Sequence, residues 1–199
     1  GTAEDQCGRS VAISGSTVLG GAPRDATQQG AAYVFTGGGD SWTEQAKLTA
    51  DEKVIYDQFG YSVALSGGTA LIGAVFSDGY AGTAYIFTGS GSTWTERATL
   101  TATDRLASDR FGCSVAIEGD TALIGAFGDE DSRGAAYVFT GSGGSWTQRT
   151  KLIAADGAQD DRFGFSVALS GGAALVGAHM HDLPSSFEQG AAYVFTGSG

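Results

Sequence analysis

The sequence predicts an all-β fold, a β-propeller of four-stranded antiparallel blades, on three observations. Whole phrases recur: DQFGYSVALSGGTALIGA, from Asp57 to Ala74, returns as DRFGCSVAIEGDTALIGA from Asp109 to Ala126. The recurrence keeps one spacing, since Gly8, Gly60, Gly112 and Gly164 stand 52 residues apart, and so do the three tryptophans Trp42, Trp94 and Trp146. Finally, 33 glycines with only 2 prolines in 199 residues suggest many tight turns rather than long helices. A period near fifty with similarity in every unit marks a repeat architecture, in which each unit buries its apolar faces only by packing on its neighbours.

Each unit reads as four strands. The first is SVAIS, SVALS, SVAIE or SVALS, from Ser10, Ser62, Ser114 and Ser166, and the second is TVLGGA, TALIGA, TALIGA or AALVGA. A short glycine-bearing turn between them (Gly15-Ser16, Gly67-Gly68, Gly119-Asp120, Gly171-Gly172) signals an antiparallel hairpin. The third strand, AAYVFTG from Ala31, Ala135 and Ala191 and TAYIFTG from Thr83, is apolar on both faces and is expected to be covered on both sides. In the fourth, from Trp42, residues Trp42 and Leu48 share one parity while Thr43, Gln45 and Lys47 share the other, so one side meets water. That gradient from small apolar first strands to a half-polar last strand fits a blade whose inner strand lines an axis. The domain is read as one propeller over residues 1–199, with blades at about 5–50, 57–102, 109–154 and 161–199.

The recurring dipeptides are Phe59-Gly60, Phe111-Gly112 and Phe163-Gly164, answered by Gly73-Ala74, Gly125-Ala126, Gly177-Ala178 and, in the first unit, Gly21-Ala22-Pro23. With the AAYVF and W-T-x-x-x-K-L segments, these phrases resemble the FG-GAP repeat, the blade unit of the integrin α-subunit propeller, in its bacterial and archaeal form. The resemblance covers essentially the whole chain. It implies a propeller and raises an adhesive role. Many FG-GAP blades carry a D-x-D-x-D-G calcium loop between the first two strands. Here that place holds SGST, SGGT, EGDT and SGGA, so calcium there is not implied.

After Phe195 the sequence gives only Thr-Gly-Ser-Gly, so the last blade is expected to lack its outer strand and to leave Ala191–Gly197 as an open edge. Three arrangements follow: a closed four-bladed ring, half of an eight-bladed assembly of two chains, or an excerpt of a longer propeller. The closed ring is the preferred expectation, with self-association through the open edge linked to it.

A formal charge of −11 sets the molecule against nucleic acid and anionic membranes. No apolar run approaches a membrane span, and the first six residues have no signal-peptide pattern, so an exported chain would here be in its mature form. Two cysteines, Cys7 and Cys113, give no disulfide framework. Both read as small core residues on opposite blades.

Candidate sites lie in the loops between second and third strands, which differ in every copy: PRDATQQ, VFSDGYA, FGDEDSR and HMHDLPSSFEQ. The candidate ligand-binding residues are Arg24, Asp25, Phe76, Asp78, Tyr80, Asp129, Glu130, Asp131, His179, His181 and Asp182. His179 and His181, two apart with Asp182 adjacent, suggest a metal pair, but a site wants three or four ligands, and an exposed loop is the preferred reading. Asp129-Glu130-Asp131 is read as solvated acids for similar reasons. Asp5, Asp57, Asp109 and Asp161, which open each copy, are assigned to turn backbone. No catalytic constellation, metal site or cofactor is expected. The sequence thus points to a non-enzymatic, secreted, extracellular structural or adhesion propeller that binds protein or glycan by its loops or assembles with itself. The alternatives are a subunit of a filament or larger propeller, and a secreted carbohydrate-active enzyme.

Overall fold

The structure is a computed structural model in which residues 4–52, 54–182 and 189–197 are described. Among the described residues fifteen strands form four antiparallel sheets, each a meander in chain order. Blade 1 holds β1 (Ser10–Ser14), β2 (Thr17–Ala22), β3 (Ala31–Gly38) and β4 (Ser41–Leu48). Blade 2 holds β5 (Phe59–Ser66), β6 (Thr69–Ala74), β7 (Thr83–Ser90) and β8 (Thr93–Leu100). Blade 3 holds β9 (Phe111–Glu118), β10 (Thr121–Ala126), β11 (Ala135–Ser142) and β12 (Ser145–Leu152). Blade 4 has three strands, β13 (Phe163–Ser170), β14 (Ala173–Ala178) and β15 (Ala191–Thr196). The all-β, propeller-like fold and the short last blade are as the sequence predicts.

The first strands of blades 2 to 4 begin earlier than expected, at the Phe of the Phe-Gly pair. The Gly after it has a positive φ and shifts the pairing register, as in the slip between Phe59↔Ala74 and Ser62↔Gly73. That kink carries the strand against the preceding blade. Phe59, Phe111 and Phe163 form isolated parallel bridges to Gly30, Gly82 and Gly134, and Ser10, Ser62 and Ser114 donate their hydroxyls to the carbonyls of Gly60, Gly112 and Gly164 at 2.9, 2.7 and 2.7 Å.

The core lies between blades, because each sheet shows a small face to its successor and a bulky face to its predecessor. Leu19, Ala32, Val34 and Leu48 meet Phe59, Val63, Ile72 and Tyr85. The same contact joins Ala84, Ile86 and Leu100 to Phe111, Ile124 and Tyr137, and Leu123 and Ala136 to Phe163 and Val176. Such packing carries most of the stability, at about 25 cal/mol for each Å² of apolar surface removed from water.

Three expectations need correction. The closed four-bladed ring does not form: Val11 and Ile13 on the bulky face of blade 1 are 70% and 66% exposed, and Val194 on the small face of blade 4 is 68% exposed, so these end faces do not bury one another. For the same reason the third strand is not covered on both sides in every copy. Val34 in β3 is 0% exposed, while β15 alternates between half-buried and exposed positions because no following blade packs on it. Finally, Cys7, at the repeat position that Phe59 holds in the next blade, is exposed rather than a core residue, since no blade packs on the Val11 and Ile13 face of blade 1 to cover it. Cys113 is buried as expected, and both thiols are free.

Candidate functional site

The β2–β3, β6–β7 and β10–β11 loops share one backbone. In each, three consecutive residues have positive φ: Ala26, Thr27 and Gln28; Asp78, Gly79 and Tyr80; Glu130, Asp131 and Ser132. A left-handed run is unfavourable for side-chain-bearing residues and persists only where the surroundings hold it. Here the following blade does. The amides of Gln58, Arg110 and Arg162 donate to the carbonyls of Gln28, Tyr80 and Ser132 at 3.0, 3.0 and 2.9 Å, and the amides of Phe59, Phe111 and Phe163 bond the next carbonyl, of Gln29, Ala81 and Arg133. One rigid backbone is therefore presented three times with different side chains.

Beneath each loop lies a polar anchor. Tyr33 donates to Asp25 at 2.5 Å and Lys47 pairs with the same carboxylate at 2.7 Å. Blade 3 repeats this with Tyr137 on Asp129 at 2.6 Å and Lys151 on Asp129 at 2.8 Å, with Asp104 a further partner of Lys151 at 2.9 Å. Burial and then the Asp129 hydrogen bond push the Tyr137 phenol up. Desolvation opposes the charge on Lys151, but its bonds to Asp129 and Asp104 prevail and raise it. Blade 2 places Ser77 here, bonded to Thr83 at 2.7 Å, and blade 4 places His181, whose Nδ1 lies 2.8 Å from Asp161.

The candidate residues therefore separate. Asp25, Asp129 and His181 are buried anchors inside their blades. For His181 the expected exposed loop is corrected, because Asp161 and Tyr193 enclose its ring. His179 is exposed and its ring lies 4.1 Å from that of Phe165, so the two histidines face different neighbours. Among the described residues no group of three or more potential metal ligands converges. Arg24, Asp78, Tyr80, Glu130, Asp131 and Asp182 are exposed and Phe76 is half-buried. Asp109 and Asp161 accept the amides of Leu106 and Ala158 at 2.6 and 2.7 Å, the turn role expected of them.

The structure adds residues that the loops alone do not reveal. The Arg110 guanidinium sits over the rings of Phe76 and Tyr80, 4.7 and 4.4 Å from their centroids, and Phe76 also meets Tyr61 edge-on at 5.9 Å. Arg9 lies over Tyr61 at 4.5 Å. Across the next junction Phe127, Phe165 and His179 form a second aromatic group, with Arg162 at 5.9 Å from the Phe127 ring. Aromatic faces and guanidinium groups thus alternate along the loop side of a molecule that is otherwise strongly acidic. Arg9, Tyr61, Cys113 and Phe165 occupy one repeat position, directly after the motif glycine. A position that changes in every copy inside an otherwise constant hairpin is the sequence signal that would have found them. Arg105 pairs with Asp78 at 2.7 Å, and the Asp57 carboxyl is raised by burial and by the nearby Asp78 charge.

This strip offers stacking surfaces and charge-assisted donors. In the comparison with known families, the model of the FG-GAP repeat matches residues 1–35, 42–87, 94–139 and 146–195. Its units are out of phase with the sheets: residues 42–87 run from β4 of one blade through β7 of the next. A search of curated proteins finds no match.

Proposed function

The chain belongs to the FG-GAP repeat family, and on that premise we propose that it is a non-enzymatic extracellular adhesion or structural module that binds a protein or glycan through its variable-loop face. The observation that carries this reading is the pairing of one loop backbone, shared by the β2–β3, β6–β7 and β10–β11 loops, with varied side chains, beside the strip of Arg9, Tyr61, Phe76, Tyr80 and Arg110. A shared loop backbone that carries different exposed side chains suits recognition, because little ordering entropy is lost on binding. Exposed Tyr with Arg suits the hot spot of such a surface. FG-GAP propellers are often adhesive and extracellular, which supports the same setting here. No helix among the described residues is long and apolar enough to cross a membrane.

The test is binding of the purified chain to arrayed glycans and immobilised matrix proteins, alongside Arg110→Ala and Tyr80→Ala. Retention of a ligand by the parent, lost in both variants while the melting curve holds, supports the proposal. Release of reducing sugar, abolished by a single carboxylate substitution, would replace it with a carbohydrate-active enzyme.

A further inference from the structure

Blade 2 lacks a lysine that blades 1 and 3 both carry. Tyr33 and Tyr137 stand opposite Lys47 and Lys151 in register, and each lysine lies over its tyrosine ring, 5.5 and 5.6 Å from the centroid, with its ammonium on the carboxylate of Asp25 or Asp129. Asp104 and Glu130 complete the set around Lys151 at 2.9 and 3.5 Å. In blade 2 the tyrosine remains, but Thr99 stands opposite Tyr85, and Ser77 replaces the anchor aspartate. Two carboxylates nevertheless keep their repeat positions, Glu52 for Asp104 and Asp78 for Glu130. Tyr85 is 8% exposed, and among the described residues its hydroxyl has no hydrogen-bond partner. Burial first, and then the charges of Asp57, Glu96 and Glu52, push this phenol up to about 12, with Arg105 opposing them. Arg105 is itself held by Asp78 at 2.7 Å. Burial also raises the carboxyls of Asp57 and Glu96. Among the described residues Asp57 accepts no linker amide of the kind that Asp109 and Asp161 take from Leu106 and Ala158. Blade 2 thus keeps much of the negative surround of a lysine ammonium without the lysine.

We propose that the Tyr85 hydroxyl, with Glu52, Asp57 and Glu96, forms an acceptor site for the ammonium of a lysine side chain carried by a partner protein. The ammonium lies over the Tyr85 ring as Lys47 and Lys151 lie over theirs, where the ring face and the carboxylates both attract it. A lysine is the occupant because its four-carbon stem carries the charge past the rim to a nearly enclosed phenol, as an amine set directly on a sugar ring does not. Among the described residues no group of three or more potential metal ligands converges, which favours an organic cation. The formal charge of −11 draws basic segments of a partner toward this chain. The site shares no residue with the strip of Arg9, Tyr61, Phe76, Tyr80 and Arg110 and does not depend on the loop-face reading.

The experiment titrates the isotope-labelled chain with the blocked tripeptide Gly-Lys-Gly and follows the amide resonances. Saturable shifts centred on Glu52, Asp57 and Tyr85 are expected. Acetylating the peptide's lysine should weaken binding at least ~10-fold, the loss expected when charge-assisted contacts are removed. Tyr85→Phe should weaken it ~3-fold, the scale of one hydrogen bond, yet leave the melting midpoint unchanged, since the hydroxyl bonds no residue of the free chain. Thr99→Lys supplies an ammonium as in blades 1 and 3 and should abolish binding, whereas Thr93→Lys, the same charge on an exposed residue at the other end of β8, should not. Lys53, beside Glu52 in sequence, lies outside the described residues, and the Lys53→Gln chain should bind as the parent does. Absence of shifts at millimolar peptide, equal binding of the acetylated peptide, full binding by the Thr99→Lys chain, or binding by the Lys53→Gln chain alone would overturn the proposal. So would larger shifts with glucosamine than with the tripeptide, which would assign the site to an amino sugar.

Discussion

Gly21 and Gly60 belong to different blades, yet a side chain on the first would run into the carbonyl oxygen of the second and into the hydroxyl of Ser10, which bonds that same carbonyl. The contact recurs between Gly73 and Gly112 and between Gly125 and Gly164. The two recurring phrases are thus the two halves of one joint, in which bare backbone meets bare backbone.

Gly21→Ala should therefore lower stability by roughly 2 kcal/mol or more, the scale of overpacking in a closed site. Gly20→Ala, one residue away and facing open space, should change it by less than about 0.5 kcal/mol. Urea denaturation of the pair checks this, and equal effects would refute the joint.

Removing Asp129 leaves Tyr137 without its buried acceptor and Lys151 without its most buried partner. Asp129→Ala is expected to cost roughly 3 kcal/mol and Tyr137→Phe about 1 kcal/mol, again by denaturant unfolding. Asp131→Asn, two positions away, exposed and still suited to its left-handed backbone, should be nearly silent.

Alkaline pH should weaken the same anchors. Tyr137 and Lys151 hold their protons more tightly folded than unfolded, where they titrate at about 10 and 10.4. A raised folded pKa means full stabilisation below the unfolded value and its loss as pH climbs toward the folded one. The melting midpoint should hold up to about pH 9.5 and then fall. The fall should be shallower in Tyr137→Phe.

Val34 and Val194 sit in identical AAYVF segments, one fully buried and the other 68% exposed. Val34→Thr places an unpartnered hydroxyl in the core and should cost about 1–3 kcal/mol, whereas Val194→Thr should be close to neutral. Thermal melts of the two variants suffice to compare them.

Much of this was legible in the residues. The 52-residue register of Gly60, Gly112 and Gly164, the glycine turns and the alternation in the Trp42 strand define strands, hairpins and blades, since all are short-range patterns of period and turn chemistry. The variable loops were also visible, because comparison of copies within the chain isolates what differs. Which loop residues face outward was not. Asp25 and Asp78 look alike as loop acids, but the first is buried beneath Tyr33 and Lys47 and the second pairs with Arg105 at the surface. Nor was the Arg110 stack on Phe76 and Tyr80 visible, since it joins residues of consecutive units across a junction.

By itself, then, the sequence determined the repeating unit and its four-strand plan, both consequences of local periodicity. Only the tertiary structure decided that the end faces stay open and that Asp129 is an anchor rather than a ligand-facing acid. The physical reason is that burial belongs to pairs of neighbouring sheets, so the same AAYVF lies in a core where another blade follows and at the surface where none does.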